Sequence, residues 1–159
     1  HAVGDAVLVE VAQRLRTTVR ETDMVLRWGG EEFLVYSPRA NPQHLKGLAE
    51  RLLEAIGGKP IVVGTQLIPV TVTAGFIALP YSGISEAICN WEKALQIADM
   101  ALYTGKVNGR NRAYGVGPLR VAPEVALPVL DHDLSAALKA NMLELTEVMG
   151  PTQAGSAGH

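Results

Sequence analysis

The chain has 159 residues, a formal net charge of −2, 48% hydrophobic residues and one cysteine, Cys89. That length suits one domain with a buried core, and the mixed charge excludes the basic surface of a general nucleic-acid binder. A single cysteine excludes a disulfide framework and a cysteine metal site, so a reducing cytoplasm is expected. No secretory leader is expected, and no apolar run approaches the length that spans a bilayer.

From residue 6 to 19, Val7, Leu8, Val11, Ala12, Leu15 and Val19 recur at helical spacing. The runs Asp23-Met24-Val25-Leu26-Arg27-Trp28 and Phe33-Leu34-Val35-Tyr36 read as strands on either side of Gly29-Gly30-Glu31-Glu32. A glycine pair between two such runs predicts a hairpin, because glycine reaches the positive φ of tight turns. Asn41-Pro42 then gives an N-cap and a first-turn proline. Leu45, Leu48, Ala49, Leu52, Leu53 and Ile56 mark the buried face of a second helix, which Gly57-Gly58 stops. Residues 60–63 and 67–79 read as strands. Ser85 is placed to cap a helix running to Tyr103. Gly117-Pro118, Pro123 and Pro128 predict a linker over 117–130, followed by one amphipathic helix over 131–149 and a disordered tail over 150–159. Helices interleaved with hairpins imply an α/β (α+β) layer structure with a mixed or antiparallel sheet. No internal repeat is evident.

The hairpin tip carries the chemistry. Glu31 and Glu32 sit together on a turn whose glycines put no side chain in the way. Paired carboxylates hold a hard divalent cation, and bare backbone admits a phosphate or sugar. The competing reading is a solvated acidic turn.

Chance places Gly-Gly-Glu-Glu-Phe in a chain of this length about once in 10⁴. The stretch resembles the signature of the GGDEF family of diguanylate cyclases, in its GGEEF form. Other segments match in order. His1-Ala2-Val3-Gly4-Asp5 is similar to the family's His-x-x-Gly-Asp, and Arg20-Glu21-Thr22-Asp23 to its Arg-x-x-Asp product-binding motif. Ala98-Asp99-Met100-Ala101-Leu102-Tyr103, Lys106 and Gly109-Arg110-Asn111 are similar to its closing helix and loop. The resemblance covers residues 1–116 and implies a nucleotidyl-cyclase, palm-like mixed sheet flanked by helices. It also implies condensation of two GTP into cyclic di-GMP with Mg²⁺ or Mn²⁺, on a homodimer whose two half-sites face each other.

By the same resemblance Glu31 is the metal-binding carboxylate and general base, and Glu32 supports it. Gly29 and Gly30 let the backbone meet ribose and phosphate, Asp5 reads the guanine edge, and Lys106 and Arg110 clamp the terminal phosphates. Taken from the residues alone, Asp5 is the N-cap of a helix beginning at Ala6, and Lys106 and Arg110 are cations favoured at a helix C-terminus. Arg20 and Asp23 imply an inhibitory cyclic di-GMP site: arginine grips guanine O6 and N7, and a carboxylate takes the N1 and N2 hydrogens. Arg51 matches a second arginine of that site, often from a neighbouring protomer; its alternative is a solvated helix charge.

The family's opening strand and helix, which carry an Asp-x-Asp metal ligand and an Asn that reads guanine, do not appear before His1. The expectation is a longer native protein with an upstream sensor or receiver domain. The alternatives are a trimmed form of the domain and a C-terminal segment that inserts in compensation. This chain by itself is expected to turn over little GTP. Two other readings stay open: a non-catalytic cyclic di-GMP receptor or regulatory domain, and a nucleotidyl cyclase of other base specificity.

Overall fold

The computed structural model describes residues 2–153. Helix α1, Ala2–Thr18, buries Val11 and Leu15. It starts earlier than the apolar periodicity alone predicts, so Asp5 lies in its first turn and is not its N-cap. Strands β1 (Met24–Gly29) and β2 (Glu32–Tyr36) form the expected antiparallel hairpin. Gly29 faces Glu32, and Gly30 turns the chain at φ +50°.

Helix α2, Pro42–Gly57, has the predicted cap: the Asn41 side chain accepts from the His44 backbone N–H at 2.7 Å. Its far end is held by Arg14 of α1. One guanidinium nitrogen donates to the carbonyls of Ala55, Ile56 and Lys59, and the other to Pro60. These carbonyls would otherwise lack intrahelical donors, and a cation there also suits the helix dipole.

β3 (Ile61–Val63) and β4 (Gln66–Ile68) make a second small hairpin. The long strand expected over 67–79 is broken into β4 and β5 (Ala74–Phe76). Pro69 follows β4 directly and has no N–H to continue the ladder. Val70 and Val72 pack instead against the cluster of Val11, Leu15, Ile56 and Ile61.

α3 runs Trp91–Val107 and does not begin at Ser85. The Ser85 carbonyl closes only a single turn, accepting from Ile88 and Cys89. Asn90 is the cap, accepting from the Lys93 N–H at 2.9 Å. α3 lies close on β5 because residue 75 is glycine: a Cβ there would sit 2.1 Å from the Ala98 carbonyl oxygen. β6, Arg112–Val116, runs parallel to β5.

Beyond β6 the structure corrects the expected linker and single helix. Pro123–Leu130 is α4, with Pro123 in its first turn and Ala126, Leu127 and Leu130 buried. The fixed φ of Pro123 suits a helix start, and burial of the leucines outweighs the bond lost at Pro128. Asp133 caps α5, Leu134–Lys139, through the Ala136 N–H at 3.0 Å. Asn141 at φ +58° then ends the helical path, and Leu145–Met149 is β7. β7 pairs antiparallel with β6, giving the order β5-β6-β7. It therefore lies on the side of β6 away from β5 and does not insert beside the β1–β2 hairpin, which remains a separate sheet. Of the tail expected to be disordered, Gly150 and Pro151 pack on Asn111 and Gly57; residues 154–159 lie outside the described residues.

The largest core cluster joins α3 to this C-terminal part. Ala94, Ile97 and Ala101 meet Leu127, Leu130, Leu134, Ala137 and Leu143. A further cluster links α2, β6 and β7 through Ala49, Leu53, Ala113 and Val148.

Candidate functional site

The hairpin turn presents Glu31 and Glu32 to solvent. Arg27 of β1 fixes that turn, donating from Nε and Nη2 to the Gly30 carbonyl at 2.9 and 2.6 Å. From the other side Lys106, in the last turn of α3, brings Nζ to 3.9 Å from the Glu32 carboxylate. Both side chains are part-exposed, so this pair adds little stability. Its importance is geometric: it brings the end of α3 to the acidic turn.

Asp5 faces the hairpin as well. A cleft of about 310 Å³ is lined by Asp5, Leu8 and Arg16 of α1 and by Val25, Arg27 and Phe33 of the hairpin. An acid and two arginines offer acceptors and donors beside the apolar side chains of Leu8, Val25 and Phe33. Such a cleft suits a polar aromatic ligand carrying negative charge. Arg16 and Arg27 escaped the sequence reading, since a lone arginine on a helix or a strand carries no spacing signal. His1 lies outside the described residues.

Arg110 sits in the loop between α3 and β6, at φ +62°, with its N–H on the Gly105 carbonyl at 2.9 Å. Among the described residues its side chain and that of Arg51 form no ion pair. Arg51 is exposed on α2.

Arg20 and Asp23 converge. Asp23 accepts from the Arg20 backbone N–H at 2.9 Å and from the Ser37 hydroxyl at 2.7 Å, and the Arg20 guanidinium donates to the same hydroxyl at 3.1 Å. His44 Nε2 stands 3.4 Å from Ser37 Oγ. A hydroxyl has one proton and two lone pairs. With that proton on Asp23, Ser37 receives from Arg20, and His44 approaches as the second donor. Neither Ser37 nor His44 was legible as a site residue.

A family profile described as "Diguanylate cyclase, GGDEF domain" matches residues 1–112. The chain belongs to the GGDEF family. It is 36% identical over 117 residues to Response regulator PleD of Caulobacter vibrioides, covering 72% of this chain and 25% of that protein. It is 35% identical to Diguanylate cyclase A of Treponema denticola, covering 70% of this chain and 29% of that protein. A longer match, 30% identical over 146 residues, takes in 91% of this chain and 20% of the bifunctional diguanylate cyclase/cyclic di-GMP phosphodiesterase MucR of Pseudomonas aeruginosa. The chain thus spans less than a third of the length of each of these relatives. Among solved structures it is similar to the GGDEF domain of PA1120 (YfiN or TpbB) from P. aeruginosa. That likeness has a TM-score of 0.61 and 32% identity, and covers 71% of this chain and 68% of that one. The GGDEF fold of the chain is accordingly the nucleotidyl-cyclase, palm-like α+β fold, a mixed sheet flanked by helices.

An oxygen donor set is what Mg²⁺ or Mn²⁺ takes, and such ions are often held by one or two carboxylates plus substrate phosphates. Glu31 and Glu32 fit that pattern. Among the described residues no group of three or more His, Cys, Asp or Glu side chains converges. No helix among them is long and apolar enough to cross a membrane.

Proposed function

We propose that this GGDEF domain, within a longer protein, joins two GTP molecules into cyclic di-GMP. The observation that carries the reading is the approach of Lys106, at the end of α3, to Glu32 of the acidic turn. In this chemistry each 3′-hydroxyl attacks the α-phosphate of the other nucleotide and pyrophosphate leaves. Asp5 accepts the guanine N–H groups at the cleft mouth. Lys106 and Arg110 bind the terminal phosphates, through charge-assisted bonds of roughly 1.5–3 kcal/mol each. Gly29 and Gly30 leave room for ribose and phosphate, and Glu31 takes the hydroxyl proton. Glu31 would hold Mg²⁺ or Mn²⁺, which would supply positive charge against the phosphates. Each domain holds one GTP, so a homodimer completes the site. Arg20 and Asp23, with Arg51 of the same or a neighbouring protomer, form a separate inhibitory site for the product. An upstream sensor or receiver domain, in the cytoplasm, supplies the input.

Glu31→Gln in the longer protein keeps the size of the side chain but removes its charge and basicity. Chromatography of the reaction is expected to show cyclic di-GMP from wild type and none from Glu31→Gln. Normal synthesis by the variant refutes the role given to Glu31. Binding of cyclic di-GMP with no synthesis by either protein would instead favour a receptor module.

A second activity has its own support. The family profile stops at residue 112, whereas the match to MucR takes in 91% of the chain and so extends into α4, α5 and β7. We infer that the longer protein also carries a cyclic di-GMP phosphodiesterase after this chain. Its hydrolysis of cyclic di-GMP to a linear product tests that.

A further inference from the structure

The segment that follows the family match is bound back onto the loop that carries Arg110. Three consecutive residues of that loop have positive φ: Gly109 at +119°, Arg110 at +62° and Asn111 at +50°. Two of them are not glycine, so their surroundings must hold the conformation. Part of the hold is local. Arg110 N–H reaches the Gly105 carbonyl at 2.9 Å, and Asn111 N–H reaches the Thr73 hydroxyl at 3.1 Å.

The rest comes from beyond residue 144. Gly150 N–H donates to the Asn111 carbonyl at 2.9 Å, and the Asn111 side-chain amide donates to the Pro151 carbonyl at 2.8 Å. Glu147 of β7 accepts from the Tyr114 hydroxyl and from Arg112 Nη1, the latter at 3.4 Å. The Tyr114 hydroxyl in turn accepts from Asn108 at 2.9 Å. Arg112 Nε also donates to the Arg110 carbonyl at 2.9 Å. The C-terminal segment is therefore tied to Asn108, Asn111 and Arg112, on both sides of Arg110. The fit is close: a Cβ at residue 150 would lie 1.9 Å from Asn111 Oδ1, and one at residue 57 would lie 3.0 Å from Pro151 Cγ.

We propose that residues 145–151 are a strap that positions the phosphate clamp, with Asn111 and Glu147 as its positioning residues. The proposal rests on reading Lys106 and Arg110 as ligands of a nucleoside triphosphate's terminal phosphates. While the strap lies on β6, the loop presents Arg110 in one place. Peeling the strap away releases both flanks of Arg110 and loosens the grip on the triphosphate.

The test compares a non-hydrolysable GTP analogue with GMP, which lacks the terminal phosphates, by calorimetry on the 159-residue chain. Variants are Asn111→Gly, which keeps the left-handed backbone, Glu147→Ala and Glu147→Gln, with Arg110→Ala as reference. Amide hydrogen exchange over 105–112 is followed in parallel. Asn111→Gly and Glu147→Ala are expected to weaken the analogue roughly tenfold and leave GMP within twofold, while Glu147→Gln, which still accepts from Tyr114, recovers most of the loss. Exchange over 105–112 is expected to quicken, with residues 24–36 unchanged. If Arg110→Ala does not alter the preference for the analogue over GMP, the clamp reading fails and the strap's role falls with it. If Arg110→Ala does and the strap variants do not, only the strap is wrong. Unchanged exchange over 105–112 in Glu147→Ala, or equal loss of analogue and GMP, also overturns it.

Discussion

The Asp23 side chain exposes no surface, and its two oxygens are divided between the Ser37 hydroxyl and the Arg20 backbone N–H. Enclosure of the carboxylate opposes its ionisation, but the hydrogen bonds from Ser37 and Arg20, with the nearby charges of Arg20 and His44, outweigh it. The result is a pKa held below the ordinary 3.8. A lowered folded-state pKa means that ionised Asp23 stabilises the fold above the unfolded-state value. That contribution is lost as pH falls through the folded-state value. Denaturant unfolding followed downward from pH 5 is therefore expected to show stability falling from about pH 4, with a shallower slope in Asp23→Asn. Equal slopes would mean that Asp23 titrates alike in both states.

The same cluster sets the binding prediction. Arg20→Ala and Asp23→Ala each remove a charged partner and are expected to weaken cyclic di-GMP by about ten- to a hundredfold in calorimetry, or roughly 1.5–3 kcal/mol. Wild-type affinity in both variants places the ligand elsewhere. Arg20 and Asp23 were legible because they stand three apart at a fixed distance before the glycine pair. Ser37 and His44 were not. They arrive from the end of β2 and the first turn of α2, and serine and histidine at such places carry no pattern until the fold brings them within reach.

Helices and strands were readable where the signal was local. The Asn41 cap, the first-turn Pro42 and the Gly57-Gly58 stop gave α2, and the glycine pair gave the β1–β2 turn. The failures share a cause. Leu134, Leu138, Met142 and Leu145 keep helical spacing across residues 131–149, but Asn141 in the left-handed region ends the helix. The partner that makes 145–149 a strand is β6, far away in sequence. α4 was hidden by its prolines, one of which starts it. Gly75→Ala forces α3 off β5 and is expected to cost about 1–3 kcal/mol, or more if the backbone cannot shift. Leu130→Ala empties a fully buried position and is expected to cost about 2–5 kcal/mol. Thermal unfolding checks both. A midpoint unchanged by Leu130→Ala would show that α4 is not part of the same cooperative core.

For the whole molecule, the fold sets a cleft between α1 and the β1–β2 hairpin, brings the end of α3 to the hairpin turn, and gathers Arg20 and Asp23 with Ser37. The family was legible before the fold because five consecutive residues and several flanking motifs kept their order. The contribution of residues 117–153 to the core was not legible, since it depends on contacts with α3 and β6 that no local pattern encodes. As proposed, this domain pairs two guanine nucleotides. The most direct measurement incubates the longer protein with GTP, and separately with ATP, in the presence of Mg²⁺, and resolves the products chromatographically. The expected result is one cyclic di-GMP and two pyrophosphates from every two GTP consumed, and no cyclic dinucleotide from ATP. Unconsumed GTP with folded, dimeric protein, or a cyclic product made equally from ATP, would contradict it.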